Sequence, residues 1–170
     1  PDPEKLKEQE EKLPSLVEPL FLLSFVWSYG GTCTYDSRLR FDEWLRGKMK
    51  EAGSKAGLHQ QKGLVYDHTY DAAESRWKPW MATVPPFAID AKTNFQMDYN
   101  SIIVPTDASV CYASLVGTLL DGNKHLLCVG PTGTGKTVTV AQKLATGLAA
   151  KYEPIMMAFS AQTSANQTQD

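Results

Sequence analysis

The amino-acid sequence predicts an α/β fold, a parallel sheet flanked by helices and incomplete within these 170 residues, preceded by an α-helical unit. Three observations carry that prediction. Gly130-Pro131-Thr132-Gly133-Thr134-Gly135-Lys136-Thr137 fits GxxxxGK[ST] and stands between a short apolar segment, Leu126 to Val129, and a helix-forming stretch, which is the context the pattern requires. A second apolar segment, Pro154 to Phe159, reads as another strand, and residues 16–49 carry apolar side chains at helical spacing.

Taken in order, Glu4 to Lys12 is charge-rich, with Glu8 and Lys12 at the i,i+4 spacing of a solvated helix face. From Leu16 to Tyr29 the side chains are apolar nearly all round, as in a helix buried on most sides. Gly30-Gly31 is expected to end it through a left-handed cap. A second helix is predicted from Asp36, its cap, to Met49, with Phe41, Trp44, Leu45 and Met49 on one face. The two form a helical hairpin. Glu51 to Gly63 holds three glycines and little periodicity and reads as a loop.

Leu64 to Tyr70 and Arg76 to Met81 flank Asp71-Ala72-Ala73-Glu74-Ser75 and predict a β-hairpin. Trp77, Pro79 and Trp80 admit a ligand cage, but tryptophans beside a proline more often clamp a linker by packing. Pro85-Pro86 and Lys92 to Ser101 continue as linker. Ile102-Ile103-Val104 closes at Pro105, Thr106-Asp107 offers capping oxygens, and a helix follows from Ala108 to Leu120 with Tyr112, Leu115, Val116 and Leu119 inward, stopped by Gly122. His125 to Val129 is a predicted strand, Thr137 to Ala150 the helix behind the loop, and Ser160 to Asp170 is polar apart from two alanines.

Composition narrows the function. Hydrophobic residues make up 42% and charged ones 21%, ordinary for a globular protein. A net charge of −2 and a pI near 5.9 supply no basic face for nucleic acid, so no nucleic-acid partner is expected. Cys33, Cys111 and Cys128, an odd number at wide spacing, give no disulfide framework or paired zinc ligands and suit a reducing compartment. His59, His68 and His125 are equally scattered and read as imidazoles satisfied by neighbours. Pro19 to Trp27 is about half the ~20 residues of a spanning helix. No membrane partner is expected. Pro1 to Lys12 lacks the basic-then-apolar order of a secretory signal, and a start without Met suits an internal piece of a longer chain.

The glycine-rich segment carries the chemistry. Its glycines let backbone N–H groups turn in around phosphate oxygens, and the helix that follows adds its positive dipole end. Lys136 reaches the β and γ phosphates and is the candidate catalytic residue, while the Thr137 hydroxyl is the candidate Mg²⁺ ligand. ATP or ADP with Mg²⁺ is the expected cofactor. Hydrolysis also needs carboxylates for the metal and for water, and only Glu153 and Asp170 lie downstream of Thr137. The segment therefore holds the cradle rather than the machinery that splits ATP.

Phe25-Val26-Trp27-Ser28-Tyr29-Gly30-Gly31, Lys62 to Asp67, Ile103-Val104-Pro105-Thr106, Gly130 to Thr137 and the closing Phe159 to Asp170 run together resemble dynein heavy chains, the last run the axonemal branch. The resemblance spans nearly the whole chain. It implies a P-loop AAA+ ATPase within a six-module ring, residues 1–60 being the helical lid ending the second module, 61–100 a linker with the β-hairpin, and 101–170 the N-terminal part of the third. By the same resemblance the backbone of Ile103 and Val104 lines an adenine pocket whose rim is Pro105-Thr106, and Gly130 to Thr137 carry over one for one. Asp107-Ala108-Ser109-Val110-Cys111 departs from the family's Val-Asp-Thr-Val-Arg-like run: Cys111 supplies no basic group and reads as a buried small residue.

The implied partners are the rest of the heavy-chain ring and, through the full-length motor, microtubules and dynein intermediate and light chains, in cytoplasm, cytoskeleton and the axoneme of a cilium or flagellum. Two further readings stay open: a regulatory module that holds nucleotide with little turnover, and a part of another P-loop ATPase. By itself the 170-residue chain is expected neither to hydrolyse ATP nor to fold as a cooperative domain.

Overall fold

A computed structural model describes residues 3–88, 102–146, 152–160, 162–164 and 166. The chain divides into two compact units, Pro1–Val110 and Cys111–Asp170. The first begins with α1 (Pro3–Tyr29) and α2 (Tyr35–Glu51), continues through a 3₁₀ turn at Leu58–Gln60, and forms an antiparallel hairpin of β1 (His68–Asp71) and β2 (Arg76–Pro79). In register, His68 faces Pro79 and Asp71 faces Arg76. A hairpin forms where one was expected, but its strands are shorter: Val65–Asp67 and Trp80–Thr83 are 3₁₀ turns, and Asp71 belongs to β1 rather than the turn. The linker stretch Lys92 to Ser101 lies outside the described residues.

α1 starts well before Leu16 and runs on through Pro14 and Pro19, although each proline removes a helical N–H. Among its described side chains one stripe is buried: Leu22 and Val26 join Leu45, Met49, Leu58, Val65, Tyr66 and Trp77 in a single core, while Val17 and Phe21 are exposed. The helix is thus not enclosed on most sides within this chain. In α2, Leu45 and Met49 point inward as predicted, but Trp44 is 50% exposed. The N-cap position is Thr34 rather than Asp36, which sits in the first turn, where its charge favours the helix dipole.

Gly30 and Gly31 end α1 for a reason other than the one expected. Neither has a positive φ. A Cβ on Gly30 would stand 2.2 Å from the Tyr66 hydroxyl and 2.7 Å from the Val26 carbonyl oxygen, and one on Gly31 would stand 2.4 Å from the Trp27 carbonyl oxygen. Close approach selects glycine here. The Tyr66 hydroxyl uses the space to donate to the Gly30 carbonyl (3.0 Å). Arg38 stacks its guanidinium over the rings of Tyr66 and Trp27, at 4.8 and 5.7 Å from their centroids, and donates to the Gly31 carbonyl.

An ion pair fastens the loop after α2. Arg46 Nε binds both oxygens of Asp42 at 2.9 Å, while its terminal nitrogens donate to the carbonyls of His59 (2.9 Å), Gln61 (2.9 Å) and Gly63 (2.7 Å). Asp42 in turn accepts the Val65 N–H at 2.6 Å. The planar guanidinium fork suits several fixed acceptors at once. Trp77 and Trp80 are buried, and their indole N–H groups donate to the Ala56 and Tyr66 carbonyls, so both serve packing.

α3 (Asp107–Asp121) follows Thr106, and the division between the units falls within it, after Val110. The Thr106 hydroxyl accepts the Ser109 N–H and the Ser109 hydroxyl accepts the Thr106 N–H, a reciprocal cap. Cys111 and Val116 are buried, whereas Tyr112 and Leu119 of the expected inward face are exposed. The left-handed residue ending α3 is Asn123 (φ 53) rather than Gly122: Lys124 N–H bonds to the Leu119 carbonyl and Asn123 N–H to that of Leu120. α4 (Lys136–Thr146) follows the glycine loop, and its expected continuation to Ala150 lies outside the described residues.

The segments expected as strands, His125 to Val129 and Pro154 to Phe159, have no ladder partner among the described residues. Leu127 is 86% and Ile155 83% exposed. A strand exists through its pairing, and the sheet the described residues do form is the β1–β2 hairpin.

Candidate phosphate-binding site

The loop joins an extended apolar segment to the N-terminus of α4. Gly133 (φ 79) and Gly135 (φ 75) take left-handed conformations, and a Cβ at either would meet nothing within 4 Å. Backbone conformation rather than crowding selects glycine at both. The Thr139 N–H bonds to the Gly135 carbonyl at 2.9 Å, setting the first turn of α4. Thr132 and Thr137 are exposed on the loop and in that first turn.

Lys136 folds back over the loop. Its ammonium donates to the carbonyls of Gly130 (2.9 Å) and Pro131 and to the Thr134 hydroxyl (3.2 Å). The Thr134 hydroxyl donates to the Pro131 carbonyl at 2.9 Å. A Cβ on Gly130 would lie 3.6 Å from Lys136 Cδ, in ordinary van der Waals contact with the lysine chain. A cationic group on a loop with left-handed glycines at a helix N-terminus is a donor set for an anion. The residues present therefore fit a phosphate group.

Behind the loop, Lys143 of α4 passes over Gly117 of α3, where a Cβ would come within 3.0 Å of its Cε. Tyr152 donates its hydroxyl to the Leu120 carbonyl at 2.6 Å, tying the chain after α4 to the end of α3.

Gly130 to Thr137 are thus gathered in one loop within the second unit. Ile103 and Val104 are exposed and Pro105 half-buried, in non-repetitive backbone of the first unit. Among the described residues no three His, Cys, Asp or Glu side chains gather as metal ligands, and no helix is long and apolar enough to cross a membrane. Thr134's side chain is the participant that the sequence pattern misses, because GxxxxGK[ST] leaves its position open.

This loop and helix define a phosphate-loop nucleotide-binding protein. Residues 91–170 match the family described as P-loop containing dynein motor region, and residues 2–82 that described as dynein heavy chain AAA lid domain. The chain is 42% identical over 179 aligned residues to dynein axonemal heavy chain 1 of Mus musculus, covering 96% of this chain and 4% of that protein. It is 39% identical to dynein axonemal heavy chain 12 of Rattus norvegicus (88% of this chain, 5% of the relative) and 31% identical to dynein axonemal heavy chain 3 of Homo sapiens (91% and 4%). The chain belongs to the dynein heavy chain family and spans about one twenty-fifth of the length of the first of these relatives.

Proposed function

We propose that this chain is the passage from the lid of one AAA+ module into the nucleotide-binding start of the next, the second and third, in an axonemal dynein motor that drives microtubule-based movement of cilia or flagella. The observation that carries the reading is the Lys136 ammonium held against the Gly130 and Pro131 carbonyls of a loop whose Gly133 and Gly135 are left-handed, at the N-terminus of α4. Gly130, Pro131, Thr132, Gly133, Thr134 and Gly135 form the cradle, Lys136 neutralises β- and γ-phosphate charge, and Thr137 offers its hydroxyl to Mg²⁺. ATP, when bound, supplies the phosphoanhydride whose cleavage powers movement.

Within this reading, residues 1–60 are the lid, 61–100 the hairpin and linker, and 101–170 the start of the next module. Trp77 of the hairpin shares the core of α1 and α2, which supports the hairpin moving with the lid. Ile103, Val104 and Pro105 line the adenine pocket. Leu126–Val129 and Pro154–Phe159 become strands of a parallel sheet completed by the rest of the heavy chain, and their exposed apolar side chains support that. Hydrolysis belongs to the full-length protein, with carboxylates drawn from outside residues 138–170. Its partners are the remaining ring, microtubules, and intermediate and light chains, in the axoneme.

Photolabelling of the full-length heavy chain with azido-ATP tests the site. The peptide carrying residues 130–137 should label in the wild type and lose its label in Lys136→Ala, because that side chain supplies the loop's positive charge. Equal labelling of the two proteins would sink the assignment.

A further inference from the structure

The Lys136 ammonium has three N–H donors, and the loop meets them with three of its own acceptors: the Gly130 and Pro131 carbonyls and the Thr134 hydroxyl. We propose that the Thr134 hydroxyl is a self-ligand of Lys136, displaced when a nucleotide's phosphate oxygen takes its place, so that Thr134 sets how tightly the loop holds nucleotide. The inference rests on the nucleotide-binding reading of this loop.

The three acceptors are unequal. Gly130 and Pro131 present backbone carbonyls, fixed by the chain, whereas Thr134 presents a neutral, rotatable hydroxyl at 3.2 Å, against 2.9 Å for the Gly130 carbonyl. That hydroxyl already spends its one hydrogen on the Pro131 carbonyl at 2.9 Å. Only its lone pairs face the lysine. A phosphate oxygen adds charge–charge attraction to the ammonium that neither the carbonyls nor the hydroxyl offer, and of the three acceptors the side-chain hydroxyl is the one free to turn away, so the exchange falls on it. A Thr134–Lys136 bond that has to break before a phosphate oxygen reaches the ammonium opposes binding. Thr134 is in this sense a positioning residue.

The test is the affinity of the full-length heavy chain for ATP at this module, read by competition against azido-ATP labelling of the 130–137 peptide. Thr134→Val keeps the shape and removes the hydroxyl; Thr134→Ser keeps the hydroxyl. The valine variant should bind about three- to tenfold tighter, as expected for one modest hydrogen bond lost from the empty state, and the serine variant should match the wild type. Valine binding unchanged or weaker would overturn the proposal by making the hydroxyl a neutral bystander or a brace of the loop. Labelling indifferent to Lys136→Ala alone would instead overturn the underlying assignment, and the two failures are therefore distinguishable.

Discussion

Thr137 opens α4 directly after Lys136, exposed at the point where the helix dipole is most positive. Thr137→Ala should spare the loop's phosphate contacts and remove one Mg²⁺ ligand, so nucleotide affinity should fall severalfold with Mg²⁺ present and hardly at all without it. Titrations with and without the metal check this; equal damage in both would make Thr137 a packing residue. Tyr66 makes a different kind of point. Burial, with the neighbouring Cys33 thiol adding to it and the Arg38 guanidinium opposing, pushes its hydroxyl from 10.0 up to about 12. The folded state therefore keeps a proton that the unfolded chain releases near pH 10. Stability from this group is full below pH 10 and is lost as pH rises towards 12. Tyr66→Phe, which cannot ionise, should show a flatter fall of the urea midpoint across that window. Gly30 faces the same hydroxyl, and that packing was invisible in the sequence. Gly-Gly after an apolar run signals a helix end correctly, but a contact with a residue 36 positions away leaves no local mark.

Elements were legible where local rules decide them. The hairpin followed from its turn residues, and α3 from the Thr106 cap, because capping and turn chemistry act within a few residues. Burial was less legible: α1 is apolar nearly all round, yet Leu22 and Val26 face the core while Val17 and Phe21 do not, and hydrophobicity does not say which face finds a partner. Glu51 to Gly63 reads as a structureless loop because the order of its second half comes from Arg46, which reaches it from α2 across 12 to 17 positions, with Asp42 fixing Val65 just beyond. These two side chains are only 16% and 13% exposed. Arg46→Met should leave Asp42 and three carbonyls short of partners and cost about 3 kcal/mol, since breaking a buried pair strands the remaining charge. Arg46→Lys, a point charge without the fork, should recover only part of this. Denaturant midpoints of the two variants rank them, and a midpoint equal to wild type for Arg46→Met would show that water replaces the clamp.

At the scale of the whole chain, the two units differ in what they bury. The first has its own core of Leu22, Val26, Leu45, Met49, Leu58, Val65, Tyr66 and Trp77. In the second, the buried apolar side chains among the described residues are Cys111 and Val116, while Leu127, Val129, Ile155, Met156, Met157 and Phe159 are exposed. The chain alone is expected to lack a cooperative domain because its predicted strands and its apolar first helix need partners from outside it; the core around Leu58 shows that α2, the loop and the hairpin supply a partner for the helix's inner stripe. The expectation therefore divides. Hydrogen exchange of the 170-residue chain should find amides protected across α2 and β1–β2, whose hydrogen bonds open only with the core they flank. Residues 126–129 and 154–159 should exchange at close to the free rate, because their backbone groups have no ladder among the described residues to protect them. Unpaired apolar segments also invite pairing between copies, so raising the protein concentration should protect these two segments first and slow sedimentation should give way to oligomers. No ATP turnover should accompany either state, since the carboxylates for metal and water are assigned to other parts of the heavy chain. Strong protection of residues 126–129 in a monomer would contradict this division, for it would mean that the second unit completes its sheet without help.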